Sequence, residues 1–139
     1  MATIVREFRL DATPQEVWDA VRDVGALHTR LVPGFVVDCV LEQGARRVTF
    51  SNGVVARERI VDIDDARRRI AWSAVGSDRL EHHNPSLQLF GDAAPTRAVW
   101  IADLLPHAAA PAVGATIAQA ISAMQRRFAA ARSGGEAQR

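Results

Sequence analysis

The sequence has no lysine and no tyrosine. All 17 basic side chains are arginines. That excludes Schiff-base catalysis and lysine clamps on phosphate, and leaves no phenol to act as an acid. Cysteine occurs once, at Cys39, so neither an intrachain disulfide nor a cysteine metal site can form. No apolar run reaches the roughly 18–20 residues that cross a bilayer, and the first residues lack the basic-then-apolar pattern of a secretion signal. These absences give the expectation of a cytoplasmic protein with no membrane insertion. The formal net charge of +1 provides no electrostatic footprint for nucleic acid.

What is present is enough for one domain with an ordinary core: 139 residues, 48% of them hydrophobic. Thr3 to Leu10 alternates as a strand. Thr13-Pro14-Gln15-Glu16 then opens a helix, with Thr13 as N-cap, Pro14 at the first helical position and Glu16 placed to complete a capping box. Val17, Ala20, Val21 and Val24 form its buried stripe, with Trp18 beside it. Gly25 ends this helix, and a second short one is expected at Ala26–Leu31, closed by Pro33-Gly34.

From Phe35 the hydrophobic period changes to two. Strands are predicted at Val36–Glu42, Arg46–Ser51, Val54–Asp62, Arg68–Val75, Leu80–Phe90 and Arg97–Leu105, separated by turns rich in Gly, Asn and Asp. The chain then turns helical from about Ala109 to Arg132. Val113, Ile117, Ile121, Met124 and Phe128 make one apolar stripe. Residues 133–139 read as a disordered polar tail after a single domain over 1–132.

A strand, two short helices, six strands and a long helix make an α+β chain. A seven-stranded antiparallel sheet has to bury one face, and curving around the final helix does so. A sheet bent that far cannot touch the helix everywhere, so a pocket between them is expected.

Three local patterns resemble the START/Bet v1-like superfamily, also called SRPBCC, over roughly residues 2–132. They are Thr13-Pro14-x-Glu16-Val17-Trp18; Glu58-Arg59-Ile60-x-x-Ile63-Asp64-Asp65 with Arg69-Ile70-x-Trp72; and Thr96-Arg97-x-Val99-Trp100 running into Pro106. The resemblance implies a helix-grip fold. It leaves function open, since the superfamily holds lipid and hormone carriers, aromatic polyketide cyclases and dehydratases, and chaperone cofactors. Arg79-Leu80-x-x-His83 is also similar to a strand of the plant abscisic acid receptors, which implies cavity-facing positions for Glu58 and His83. The receptors' cavity lysine and its neighbouring tyrosine have no counterpart here, so abscisic acid is not implied as a ligand.

Strand parity sorts the candidate site. His83, Pro85, Leu87 and Leu89 share a face with Ala98, Trp100, Ala102 and Leu104, with Leu87 opposite Trp100. Pairing about Asp64-Asp65-Ala66 sets Glu58 opposite Trp72, and pairing about Gly76–Arg79 sets Trp72 opposite His83. The three would form a row, with roughly 10 Å between the backbones of Glu58 and His83. The expected ligand-binding residues are Phe50, Glu58, Trp72, His83, Leu87 and Trp100 on the sheet, with Val113, Ile117 and Ile121 on the helix.

Glu58 and His83 are the candidate catalytic residues, as an acid/base pair in an apolar cleft where a nearby carboxylate would favour the charged imidazole. The plainer reading pairs Glu58 with Arg57, Arg59 or another arginine nearby. His82, Asn84 and Asp103 fall on the opposite face, so His82 and His83 cannot chelate together, and no metal or other cofactor is expected. His28 is expected near the pocket mouth, in the connection that caps one end. Cys39 reads as an inward apolar filler beside Val37 and Leu41.

Three functions remain open on this reading. The chain binds a small hydrophobic or aromatic molecule, as monomer or homodimer; it is a polyketide cyclase/dehydratase-like enzyme using Glu58 and/or His83; or it is an interaction module with a collapsed pocket.

Overall fold

A computed structural model describes the backbone of residues 2–137 and the side chains of residues 2–129. β1 (Ala2–Leu10) is followed by α1 (Pro14–Arg22), a 3-10 turn at Val24–Ala26 and a π-helical turn at Leu27–Leu31. Six strands follow: β2 (Val36–Glu42), β3 (Ala45–Phe50), β4 (Val55–Asp64), β5 (Arg69–Val75), β6 (His82–Phe90) and β7 (Thr96–Leu105). A 3-10 turn at His107–Ala109 leads into α2 (Ala110–Ala137). Among the described residues, no helix is long and apolar enough to cross a membrane. The side chains of the tail expected at 133–139, and the backbone of 138–139, lie outside the described residues.

The seven strands form one antiparallel sheet in the order β1-β7-β6-β5-β4-β3-β2. β1 and β2 are therefore the two edges, and α1 with its following turns carries the chain from one edge to the other. α2 packs across the concave face, where Ile117, Ala120, Ala123, Met124 and Phe128 are buried. This is the α+β helix-grip architecture, with the sheet curved around the long helix.

Local chemistry explains the elements. At the start of α1 the Thr13 Oγ1 accepts a hydrogen bond from the Glu16 N–H at 3.2 Å, satisfying a donor that the helix leaves orphaned. The Glu16 carboxylate accepts from the Thr13 hydroxyl rather than reaching a backbone N–H. The β2–β3 hairpin turns on Gly44 at φ +68°, a conformation that side chains with a Cβ rarely adopt. Trp18 is buried, and its indole donates to Asp65 in the β4–β5 turn at 2.9 Å. Arg22 donates to the same carboxylate at 2.8 Å, and it is mainly this guanidinium that holds Asp65 below its usual pKa range. α1 is thus fastened to the sheet at its rim as well as through its apolar stripe.

Two irregularities shape the interior. Val61 is a bulge in β4, because the β4–β5 register shifts between Ile60 and Asp62. The β5–β6 ladder covers only Arg69↔Gln88, Ile70↔Leu87 and Ala71↔Ser86, although both strands run on. The carbonyl of His83 and the N–H of Leu89 both point toward β5, the first accepting from the Ser73 hydroxyl and the second donating to the Arg68 carbonyl. Alternation puts Pro85 on the same side, where it has no N–H to give. The ladder stops there, and the Ser73–His83 bond bridges the split.

Candidate functional site

Between the concave sheet and α2 lies a cavity of about 610 Å³, within the range of small-molecule sites. Phe50, Glu58, Trp72, His83, Leu87, Trp100, Val113 and Ile117 all line it. Ile121 does not. It packs against the cluster of Ile4, Ala102, Leu104 and Ile117, on the β1–β7 side of the helix. The space exists because α2 turns Ala112, Thr116 and Ala120 toward this part of the sheet, and small side chains cannot fill it.

The parity of the strands is as expected, and Leu87 stands opposite Trp100. The proposed row does not form. Glu58 pairs across the ladder with Ala74, and Trp72 pairs with Ile60. The β5–β6 ladder ends before Trp72, and its register directs that residue toward Pro85 rather than His83. Each hairpin is slid by two residues from the tightest closure of its turn. A slide of two preserves the face and changes the neighbour.

The partner of Glu58 is Arg46, directly across on β3. Arg46 Nε donates to Glu58 Oε1 at 2.9 Å, with only 6% and 12% of the two side chains exposed. Arg46 Nη1 donates to the Val24 carbonyl at 3.3 Å, and the guanidinium lies 6.0 Å from the centre of the Trp72 ring. Sequence reasoning did not single out Arg46. The signal was there: Arg46 alternates with Val48 and Phe50, so any register that buries those two buries Arg46 as well. The ion pair settles Glu58 into the plainer of its two readings, with a different arginine from the two adjacent ones.

Trp72 and Trp100 meet edge to face, with ring centres 5.3 Å apart, a favourable arrangement for two quadrupoles. The Trp100 Nε1 and His83 Nδ1 atoms are enclosed and have no hydrogen-bond partner among the described residues. Burial drives the His83 pKa down to about 4, with a smaller push from the adjacent His82. This reverses the expectation of a carboxylate-stabilised imidazolium: Glu58 is committed to Arg46, and desolvation dominates. His83 is therefore neutral at pH 7.

The remaining candidates lie elsewhere. His82 and Asn84 are exposed on the convex face, Asn84 opposite Asp103, and Asp103 accepts from the Thr3 hydroxyl at 2.8 Å. No metal-holding group of His, Cys, Asp or Glu occurs among the described residues. His28 lies in the π-helical turn with an enclosed, unpartnered Nδ1, and does not line the cavity. Cys39 is buried, and burial raises its thiol pKa. Val37 and Leu41, expected beside it in the interior, are 54% and 58% exposed, because β2 is an edge strand bulged at Val37.

A family model described as polyketide cyclase / dehydrase and lipid transport matches residues 1–132. The chain belongs to this family. A search of curated proteins finds no match. Among solved structures, the protein XoxI from Bacillus cereus superposes with a TM-score of 0.81 at 17% identity, covering 92% of this chain and 96% of that one. A START superfamily protein from Mycobacterium smegmatis gives 0.71 at 13% identity, covering 91% and 96%. The di-domain ARO/CYC BexL from the BE-7585A biosynthetic pathway gives 0.78 at 17% identity, with 91% of this chain covering 46% of that one. At these identities the likeness is one of fold. It agrees with the family and with the START/Bet v1-like resemblance of the sequence.

Proposed function

We propose that this family member binds a small hydrophobic or aromatic molecule in the cavity between sheet and α2. The observation that carries the reading is the cavity itself: about 610 Å³ of space between the sheet and the long helix, beside a buried apolar core. Its wall is largely apolar and aromatic, with polar atoms brought to it by Arg46 and Glu58. A collapsed interaction module is disfavoured by the same volume. The test is a native mass spectrum of the purified protein followed by denaturing extraction. A bound mass of a few hundred daltons supports the reading. A ligand-free spectrum, together with no binding of any aromatic probe, contradicts it.

A cyclase/dehydratase-like activity is the second reading. It is favoured by an imidazole in an apolar cleft that carries no proton at pH 7 and so has a free nitrogen to accept one, and by the fold shared with an ARO/CYC protein. Glu58 serves this reading less well, because its first oxygen is held by Arg46. Turnover of a candidate substrate by Glu58→Gln and His83→Ala at the wild-type rate would remove both residues from any catalytic role.

A further inference from the structure

The cavity holds few charges. Arg46 and Glu58 cancel one another inside it. Arg79, the other ionised residue of the lining, sits in the exposed loop between β5 and β6, with Asp78 and Glu81 beside it in sequence. The interior is therefore electrically neutral but polar at one point. At that point the ion pair is held by a single contact. Arg46 spends Nε on Glu58 and Nη1 on the Val24 carbonyl, which leaves Nη2 as a donor. Glu58 spends Oε1 on Arg46, which leaves Oε2 as an acceptor. Neither leftover atom is among the enclosed unpartnered ones, and both residues line the cavity. The indole of Trp72 lies under the guanidinium and edge to face with Trp100, which supplies a flat aromatic surface next to the polar point.

Resting on the binding function proposed above, we infer that the Arg46–Glu58 pair is the specificity determinant, and that it selects an aromatic ligand carrying an uncharged hydroxyl or enol rather than a carboxylate. A hydroxyl both donates and accepts. It can donate a hydrogen bond to Glu58 Oε2 and accept one from Arg46 Nη2 at the same time. Hydrogen bonds to ionised groups are the strong ones. A carboxylate can only accept. It would leave Oε2 unserved and bring a second negative charge beside Glu58, in a space where the existing charges already balance. A plain hydrocarbon fills the volume and leaves both atoms unused.

Three probes of one shape separate these cases: naphthalene, 2-naphthol and 2-naphthoate, titrated at neutral pH into the isotopically labelled protein. The indole N–H signals of the three tryptophans are the readout. Trp72 and Trp100 line the cavity, while Trp18, bonded to Asp65, is the internal control. The expected ranking is 2-naphthol tighter than naphthalene by about tenfold or more, the size of one good hydrogen bond to a charged group, and 2-naphthoate weaker than 2-naphthol by at least a similar factor. Naphthol binding no tighter than naphthalene, or naphthoate binding as tightly as naphthol, overturns the inference and leaves the cavity reading standing. Failure of all three probes to move Trp72 and Trp100 overturns the cavity reading itself. The double replacement Arg46→Met with Glu58→Leu assigns the effect. Naphthalene affinity is expected to be kept while naphthol falls to the same level; a naphthol preference that survives in the folded double variant removes the pair from the role. Should that variant not fold, the wild-type ranking decides alone.

Discussion

The two ends of the concave interior are built from the same alternation and reach opposite results. At one end α1 brings Val17 and Trp18, α2 brings Ala123 and Phe128, and the sheet answers with Phe8, Leu10, Leu89 and Ala98, all buried in one cluster. Polar groups there are satisfied: the buried Thr96 hydroxyl donates to the Ala12 carbonyl at 2.8 Å, and the Trp18 indole to Asp65. At the other end α2 presents small residues, β5 and β6 part at Pro85, and Trp72, Trp100 and His83 face open space. Two polar atoms there have no partner. The filled end is what stability alone asks for. The departure from it at the other end, in packing and in hydrogen bonding together, is the mark of a site whose composition answers to something besides folding.

The sharpest way to break this contrast is to truncate a tryptophan at each end. Trp18→Ala is expected to cost about 3–5 kcal/mol, because it empties a closed volume and strips a partner from Asp65. Trp72→Ala, which already borders a cavity, should cost roughly 2 kcal/mol, on the low side of that scale. Urea denaturation of both variants checks the order, and equal losses would erase the distinction between the ends. Next comes the ion pair. Glu58→Gln leaves Arg46 charged and buried, and is expected to cost about 3 kcal/mol, whereas replacing both residues by Met and Leu should recover most of it.

His83 supplies a pH signature that belongs to the open end. Its folded pKa of about 4 lies below the ordinary histidine value of 6.5. The unfolded chain therefore binds a proton between these values and the folded chain does not, so stability is full above pH 6.5 and falls as the pH drops toward 4. The loss is expected to approach about 3 kcal/mol. His83→Leu should flatten the urea midpoint between pH 4.5 and 7 relative to wild type; an unchanged slope would show that the ring is hydrated. The smallest effect comes from adding bulk. Ala98→Leu, in the filled end and fully buried, is expected to cost about 1–3 kcal/mol through overpacking, while Ala56→Leu, on the cavity wall, should cost less than about 1 kcal/mol. Thermal melts of the two variants compare them directly.

The sequence disclosed faces better than neighbours. Parity is a property of each strand by itself, and the six sheet residues sorted by it, Phe50, Glu58, Trp72, His83, Leu87 and Trp100, all face the cavity. Register depends on turn length and bulges, which a pattern of apolar residues does not specify. The β4–β5 turn together with the one-residue Val61 bulge, and the length of the loop after Val75, each left a net slide of two residues, and the Glu58–Trp72–His83 row dissolved with them. Arg46 was hidden for another reason. An arginine in an alternating strand reads as outward until an acid opposite makes its burial affordable, and the acid lies across a register that had to be known first. Ile121 was misplaced because the apolar stripe is wider than the cavity: Ile117, Ala120 and Met124 line the space, while Ile121 packs toward Ile4 and Ala102 on β1 and β7.

The placement of β1 has a consequence for how the chain reaches this state. Its only ladder is with β7, and Ala2 meets Leu104 across it. During synthesis β1 is therefore without its partner until β7, the last strand of the sheet, has emerged. The β2 edge closes locally on β3, whereas the β1 edge waits for a contact separated by about a hundred residues. Such long-range closure makes assembly slow. It also leaves the inner wall, the future lining of the cavity, open to the surroundings until α2, which follows β7 in the chain, packs across it, so a hydrophobic molecule present at that stage can be enclosed.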